Sequence, residues 1–301
     1  MKIIDIHAHV YEKIAGITEG QPMSSTAMGR VTVGNQERQL LPPSFEYSRS
    51  TGEMLIAHMD WCGIEKALLM PNPYYGYHSR YFVENILKYP DRLKGVALVD
   101  ILKGEKAARE LSRYYDDGIL FGMKIEVNST FQCAPETRMS DDKLTPVWDC
   151  CNQYRQPVFL HMFRTEDIED LKFLTKNYPD IVFVICHMGA DSCFGKGMPK
   201  DNYEEVLEIV KQNKNVYIDT STVPVYFEEE YPWTSSVRII EDCYYRVGPE
   251  KMMWASDYPG MLNHGTMQQL INLVVTGCTH IPDSHKELIM AENARRLFWN
   301  N

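Results

Sequence analysis

The chain has 301 residues, of which 44% are hydrophobic and 24% charged, and its formal net charge is -10. This composition excludes a disordered chain, and the acidic balance argues against nucleic acid or an anionic membrane as the main partner. No stretch reaches the roughly 20 consecutive apolar residues of a membrane span, and Asp5 interrupts the apolar amino terminus before it reaches signal-peptide length, so we expect a cytoplasmic protein.

Short apolar or β-branched runs alternate along the chain with longer segments of helical period, a pattern typical of repeated βα units. Eight runs predict strands, at residues 2–8, 65–71, 93–100, 119–127, 157–162, 181–188, 215–221 and 251–257. The intervening segments predict helices at 52–62, 79–89, 104–116, 141–154, 166–177, 202–212, 234–246 and 264–276. Eight such pairs predict an α/β fold, a (β/α)8 TIM barrel made by residues 1–301 as one domain.

Two segments depart from this rhythm. Residues 10–51, between the first strand and the first helix, are long and rich in Gly, Ser, Thr and Pro. A structureless loop of this length is usually a functional lid or a binding loop. Residues 285–298 predict an extra C-terminal helix, which we expect to pack on the outside of the barrel.

The eight cysteines contain no C-x-x-C pair. A core of this size needs no disulfide bonds for stability, so the sequence predicts reduced and mostly buried thiols.

Four of the nine histidines stand where a barrel places its active site, at the carboxyl ends of strands. His7 and His9 are two residues apart on one extended strand, so their side chains point to the same side. His161 and His187 end the fifth and sixth strands, and Asp257 ends the eighth, next to the first strand in a closed barrel. A single strand histidine is more often an ordinary core residue, but this shared placement favours a metal site. Three imidazoles and one carboxylate suit one Zn2+, with Mn2+ or Fe2+ as alternatives.

Four short motifs carry a family resemblance. The segments DIHAH (5–9), FLHM (159–162), ICHMG (185–189) and SDYP (256–259) resemble those of the metal-dependent amidohydrolase superfamily. The resemblance is to the amidohydrolase-related branch that includes aminocarboxymuconate-semialdehyde decarboxylase, whose C-terminal helix is similar to AENARRLF (291–298).

The resemblance implies a role for each matching residue. His7, His9, His161 and Asp257 correspond to the metal ligands, and Asp257 also to the residue that handles protons. His187 corresponds to a histidine that contacts the metal-bound water or the substrate. The resemblance also implies a homodimer.

Lys124 raises the question of a second metal ion. In binuclear members of the superfamily a lysine on the fourth strand is carbamylated and bridges two ions. Other members of the branch keep an unmodified lysine followed two positions later by histidine, and here that position is Glu126. We expect one metal ion, with Lys124 as a second-metal bridge as the alternative; read from the residues alone, Lys124 and Glu126 form an ion pair inside the barrel mouth.

The function expected from this set is a metal-dependent hydrolase. A divalent ion activates a water for attack on an amide or lactone of a small substrate that can carry a carboxylate, while Asp257 and His187 assist with protons. The first alternative is a metal-dependent decarboxylase of an aromatic or unsaturated acid, which uses the same residues. An alternative of another class is a catalytically silent barrel that binds a small molecule.

Three residues are candidates for substrate binding, each with an ordinary structural explanation beside it. Arg164 could clamp a carboxylate or be a solvated residue at the start of a helix. Tyr75 could line a pocket for a planar ligand or pack within its loop. His264 could touch substrate or cap a helix. Asp219, at the end of the seventh strand, is expected to orient an imidazole, as metal-binding histidines usually require.

Overall fold

The computed structural model describes residues 1–127, 134, 136–162, 164–193, 200–227 and 229–299, and the side chains in these ranges apart from 190–193 and 200–202. Eight parallel strands form one sheet, and each lies inside a predicted run. In sheet order they are β1 (Ile4–Ala8), β6 (Lys66–Leu69), β7 (Leu93–Ala97), β8 (Leu120–Glu126), β9 (Val158–His161), β10 (Phe183–Ile185), β11 (Val216–Asp219) and β12 (Met252–Met253).

Backbone hydrogen bonds join the two ends of this sheet. The amide of Ile6 donates to the carbonyl of Trp254 at 3.4 Å, and the amide of His9 donates to the carbonyl of Tyr258 at 2.7 Å. Ala8 also forms a parallel bridge with Tyr258. The sheet therefore closes between its first strand and the segment after β12, which confirms the predicted barrel.

Helices follow the strands around the barrel, close to their predicted positions. The main ones are α1 (Gly52–Cys62), α2 (Ser79–Lys88), α3 (Glu105–Asp117), α4 (Thr145–Gln153), α5 (Glu166–Asn177), α6 (Lys200–Gln212), α7 (Thr234–Val247), α8 (Met267–Asn272), α9 (Asp283–Glu287) and α10 (Asn293–Phe298). Local sequence sets some of the ends: the Thr51 side chain caps the first turn of α1, and Gly63 ends that helix with a φ of 72°.

Residues 10–51 are not the structureless loop that their composition predicts. They contain a four-stranded antiparallel sheet, which we call the first-loop sheet: β2 (Ala15–Thr18), β3 (Gln21–Ser25), β4 (Arg30–Val33) and β5 (Gln36–Gln39). Met23, Val31 and Val33 of this sheet pack in one buried cluster with Tyr11 and Tyr75 of the barrel end. The segment therefore has a hydrophobic core of its own against the barrel.

The hydrophobic core has two large parts. The larger part lies between the strands and the surrounding helices. The smaller part takes side chains from most barrel strands, among them Ile4, Leu68 and Phe159, and joins them to Phe298 of the C-terminal helix. The Phe298 ring lies 5.6 Å from that of Phe159. The backbone carbonyl of Phe298 accepts a hydrogen bond from Nζ of Lys94 at the start of β7. The C-terminal helix therefore packs against the amino end of the barrel, and its Phe298 side chain closes the barrel interior there.

The described cysteines agree with the predicted reduced thiols. Cys62, Cys150, Cys151, Cys186, Cys243 and Cys278 carry no disulfide, and all of these except Cys62 are buried. Cys133 and the side chain of Cys193 lie outside the described part of the chain. Among the helices that the structure describes, none is both long enough and apolar enough to cross a membrane.

Candidate metal centre

The predicted histidines and Asp257 lie at the carboxyl end of the barrel, as its geometry requires. His7 belongs to β1 and His9 follows it, with ring centroids 5.0 Å apart. His187 lies just past β10, and its ring centroid is 4.7 Å from that of His7 and 4.2 Å from that of His161. The four imidazoles therefore form one contiguous group around the barrel axis.

His9 and Asp257 face each other without a proton to share. The Nδ1 atom of His9 lies 2.7 Å from the carbonyl oxygen of Met70, which can only accept, so Nδ1 carries the ring proton. Burial lowers the pKa of His9, and the ring is therefore neutral at pH 7. Its Nε2 lone pair then points at Oδ1 of Asp257, 3.1 Å away. Two acceptors at this distance call for a cation between or beside them.

His7 is held in the same way. Its Nδ1 lies 3.1 Å from Oδ2 of Asp219, which places an imidazole partner where the sequence predicts one. Its Nε2 is 3.9 Å from Oδ1 of Asp257 and 2.9 Å from Nζ of Lys124. Burial lowers the pKa of His7 well below its usual range, and the Lys124 charge lowers it further, so this ring too presents a lone pair.

Asp257 is the anionic member of the group. Burial by itself raises the pKa of Asp257, but the imidazoles of His9, His187 and His7 around the carboxyl outweigh this effect and hold its pKa below the usual range. Its backbone has a φ of 53°, in the left-handed region that a non-glycine residue rarely adopts. Such backbone strain concentrates at functional sites.

The donor set fits a divalent cation. His7, His187 and Asp257 each offer a ligand atom within 4.8 Å of the other two. His7, Cys186 and Asp219 form a second such group, which is fully buried and shares His7 with the first. Imidazole nitrogen with carboxylate oxygen is the chemistry that zinc, manganese and iron accept. Of the predicted metal ligands, His9 and His161 belong to neither of these two groups, and His187, which the resemblance places beside the metal-bound water or substrate, belongs to the first.

His187 is oriented by two hydroxyl groups. Its Nδ1 lies 2.7 Å from Oγ of Ser221 and 2.8 Å from Oγ1 of Thr222. The Thr222 hydroxyl donates onward to Oδ2 of Asp257 at 3.0 Å. His187, Met188 and Gly189 have successive φ values of 55°, 57° and 65°, a turn that brings the imidazole back over the barrel mouth.

His161 pairs with the carboxylate that departs from the family pattern. Its Nδ1 lies 2.5 Å from Oε2 of Glu126, a buried oxygen that also accepts from Nδ2 of Asn72 at 3.2 Å. Lys124 lies 3.9 Å from the same oxygen, so the ion pair expected from the two residues alone is present. Glu126 is thus a positioning residue for His161, and Asn72 is a site residue that the sequence reasoning missed.

An open cavity of about 460 Å3 lies above this group. Its floor includes His9, His187 and Asp257, and Tyr75 lines one side. The Tyr75 ring stacks on that of Tyr11 at 4.7 Å, and its centroid is 4.9 Å from that of His9. Burial raises the pKa of Tyr75 well above its usual range, so its hydroxyl keeps its proton. The volume is that of a small-molecule site.

The first-loop sheet forms the opposite wall of this cavity. The lining residues from this sheet and the segments next to its strands are Thr18, Glu19, Val31, Val33, Arg38, Gln39 and Leu40. Sequence reasoning missed all of them, because their role depends on a sheet that it did not predict. The length of the segment was the available signal.

Two candidates for substrate binding lie elsewhere. The guanidinium of Arg164 contacts Oδ1 of Asp167 at 2.7 Å and the carbonyl of Thr137 at 3.1 Å, and Arg164 is not among the described residues that line the cavity. His264 lines a separate cavity of about 820 Å3, together with His58 and Trp61. Of the three candidates, the structure therefore brings Tyr75 to the cavity above the imidazoles, but not Arg164 or His264.

Solved structures of low sequence identity share this fold. A probable 2-pyrone-4,6-dicarboxylic acid hydrolase from Acinetobacter baumannii, with citric acid bound, is 18% identical, with a TM-score of 0.72 and 99% of each chain covered. A 5-carboxyvanillate decarboxylase from Sphingomonas paucimobilis is 22% identical, with a TM-score of 0.60 and 84% of each chain covered. A dihydroxybenzoic acid decarboxylase from a Polaromonas species, with manganese and an inhibitor bound, is 18% identical, with a TM-score of 0.61 over 81% of this chain and 84% of that one.

The family is identified from the amino-acid sequence. No curated protein matches it. The model of the amidohydrolase family matches residues 4–299, a span that runs from the first residue of β1 to just past the C-terminal helix and includes every residue of the metal centre. This chain belongs to the amidohydrolase family.

Proposed function

We propose that the protein is a cytoplasmic, metal-dependent hydrolase that opens a lactone or cleaves an amide of a small, carboxylated substrate. One divalent ion, Zn2+ or Mn2+, would be held by His7, His9 and Asp257, with His161 or His187 completing the set. We infer that residues 1–301 act as one domain, that the protein is a homodimer, and that no nucleic acid is involved.

One observation carries the proposal more than any other. The Nε2 lone pair of His9 and the Asp257 carboxylate face each other at 3.1 Å. This arrangement is costly without a cation and favourable with one, because burial removes the water that would otherwise separate the two acceptors. A barrel that only binds a small molecule has no use for this pair.

The chain's own residues supply the proton transfers. A divalent ion would lower the pKa of a water molecule in the site and polarise a carbonyl oxygen. The ionised Asp257 lies at the cavity floor and can accept a proton from that water and return it to the leaving oxygen or nitrogen. Thr222 links Asp257 to His187 and keeps both side chains in place.

A decarboxylase remains the second candidate. Among the solved structures that share the fold, some carry a decarboxylase name and bind manganese, and others carry a hydrolase name. The same residues serve either reaction, because a carboxylate that accepts a proton from water can also pass one to a carbon that loses CO2. Fold alone does not choose between them. The probable hydrolase of Acinetobacter baumannii covers 99% of this chain and the two decarboxylases cover 84% and 81%, so product analysis must decide between the two reactions.

Metal content and product analysis test the proposal together. We expect about one tightly held ion per chain, as the ligand set predicts, and acid release from lactones without CO2. Asp257→Asn should abolish turnover in a folded protein, and the matched change Asp91→Asn, at an exposed residue outside the site, should not. Turnover that survives in Asp257→Asn would contradict the assigned role. CO2 release from aromatic acids would establish the decarboxylase instead, and a folded protein that binds no divalent ion would favour the silent barrel.

A further inference from the structure

The first-loop sheet carries two exposed arginine–glutamate pairs with the same shortest N–O distance, and of these two only one lines the cavity. Nη1 of Arg38 lies 2.7 Å from Oε1 of Glu19, and both residues line the cavity above the metal centre. Nη1 of Arg30 lies 2.7 Å from Oε2 of Glu37, and neither residue lines it. The second pair therefore serves as an internal reference for the first.

Arg38 is the charged group that makes this cavity suitable for an anion. Among the described residues that line it, Arg38 is the one arginine, and no lysine joins it. The other ionisable lining groups are three carboxylates, the imidazoles on the floor, and the phenols of Tyr74 and Tyr75. An anionic substrate that reaches the floor needs a cation at its outer end, and Arg38 is the residue placed to provide it.

The contact between Arg38 and Glu19 has the form of carboxylate recognition. Nη2 of Arg38 lies 3.1 Å from Oε2 of Glu19, so the guanidinium and the carboxylate meet through two parallel hydrogen bonds. Arginine binds carboxylates of ligands with this same fork. The pair is solvent-exposed, with 43% and 60% of the two side chains accessible, and an exposed ion pair of this kind contributes little to stability. A substrate carboxylate can therefore replace Glu19 at little cost.

The sheet that carries Arg38 is fixed to the barrel. The amide of Ala15 donates to the carbonyl of Tyr75 at 3.0 Å, and the amide of Ile17 donates to the carbonyl of Pro73 at 3.1 Å. Gly16 lies between them, and an added Cβ there would stand 1.9 Å from the carbonyl oxygen of Tyr74. This close approach sets the position of the sheet, and hence of Arg38, over the cavity.

We propose that Arg38 binds a carboxylate of the substrate at the outer end of the cavity, and that Glu19 occupies this position until the substrate displaces it. The inference rests on the proposed function and narrows its substrate to acids that carry a carboxylate away from the reacting bond. Arg38 is then a specificity residue, and Glu19 is an internal competitor that discriminates against weakly binding anions.

Calorimetric binding of two inert probes tests this inference without turnover. Benzoate carries one carboxylate and isophthalate carries a second across the same ring. In the metal-loaded wild-type protein we expect isophthalate to bind roughly 10- to 100-fold more tightly than benzoate, the usual effect of a hydrogen bond to a charged group. Arg38→Gln should remove this advantage, while the matched change Arg30→Gln should keep it. Equal melting temperatures of the two variants would show that both fold.

Changes of the glutamates complete the test. Glu19→Gln should tighten isophthalate binding about two- to five-fold, because it removes the competitor of an exposed ion pair. Glu37→Gln, which removes the same charge from the same sheet, should leave the affinity as it is. The inference would be overturned if the wild type bound isophthalate no more tightly than benzoate. It would also be overturned if Arg30→Gln and Arg38→Gln lost the same isophthalate affinity. A protein that binds isophthalate through Arg38 but hydrolyses no lactone would keep the inference and refute the proposed hydrolase.

Discussion

The Nδ1 atom of His7 lies 3.1 Å from Oδ2 of Asp219, and this contact joins strands β1 and β11 across the top of the barrel. Asp219 is fully buried, and its other oxygen accepts from the backbone amides of His187 at 2.8 Å and Ser221 at 3.0 Å. One carboxylate thus fixes both the ring of His7 and the turn that carries His187. Partners of this kind orient metal-binding histidines and raise their basicity.

Asp219→Asn should therefore weaken metal binding. The amide keeps the shape of the side chain but loses the negative charge, so we expect metal affinity to fall roughly 10- to 100-fold. Competition with a chelating dye measures this. The matched control is Asp100→Asn. Asp100 also lies at the end of a predicted strand run, but its carboxylate contacts Lys103. Metal affinity that is unchanged in Asp219→Asn would contradict the role given to this residue.

Metal removal should destabilise the fold, because the ion would hold the ends of β1 and β12 together. A ligand that binds only the folded state at about 1,000 times its Kd stabilises it by roughly 4 kcal/mol. We expect Zn2+ or Mn2+ to raise the melting temperature of chelator-treated protein, and His9→Ala to remove this response. His280→Ala should respond like the wild type, because 70% of that side chain is exposed and it pairs with Glu241.

Most of the barrel could be predicted from the sequence. Strand β10 (Phe183–Ile185) falls inside the predicted run because a strand that is buried on both faces gives a continuous apolar segment. The first-loop sheet could not be found in this way. All four residues of β5 (Gln36–Gln39) are exposed, and β3 contains Pro22, so neither strand shows the alternation by which strands are identified.

The metal centre was more accessible to sequence reasoning than the substrate pocket. The spacing of His7 and His9, together with the barrel rule, brings these residues and Asp257 to one face. The pocket depends on a contact between distant segments, such as that of Arg38 with Glu19, which no periodicity reports. For Arg164 a signal was available, since Asp167 stands three residues later, within reach on the same helix start.

Asp5 supports the metal centre from below. Its carboxylate accepts from the backbone amides of His7 at 3.1 Å and Ser256 at 2.9 Å, and from the Ser256 hydroxyl at 2.5 Å. Burial raises the pKa of Asp5 to about 7, although these hydrogen bonds oppose the shift. Asp5→Ala should cost about 3 kcal/mol of unfolding free energy, because it leaves buried donors without a partner. Urea denaturation measures the loss, and Asp5→Asn, which retains an acceptor oxygen, should recover much of it.

His78 should make stability depend on pH. Its Nε2 lies 3.0 Å from the carbonyl oxygen of Tyr75, and partial burial lowers its pKa from the usual 6.5. At pH values well above 6.5 the His78 ring is neutral in both the folded and the unfolded protein and contributes no pH dependence to stability. Below pH 6.5 the unfolded chain binds the proton more readily, so stability falls as the pH falls. We expect His78→Gln to lose less stability than the wild type between about pH 7.5 and about pH 5.5 in urea denaturation. An equal loss in both proteins would show that other groups account for it.

Gly16 tests whether the first-loop sheet depends on its close approach to the barrel. A Cβ at this position would meet the carbonyl oxygen of Tyr74 at 1.9 Å, so Gly16→Ala must push strand β2 away from residues 73–75. The backbone bonds from Ala15 and Ile17 should then weaken, and amide hydrogen exchange across residues 15–39 should quicken while the barrel strands keep their protection. Gly20→Ala is the matched control, because that glycine lies in the turn between β2 and β3 and an added Cβ would meet nothing within 4 Å, although its φ of 68° makes alanine mildly unfavourable there. Faster exchange in Gly20→Ala alone would mean that turn conformation, and not the contact at Gly16, holds the sheet in place.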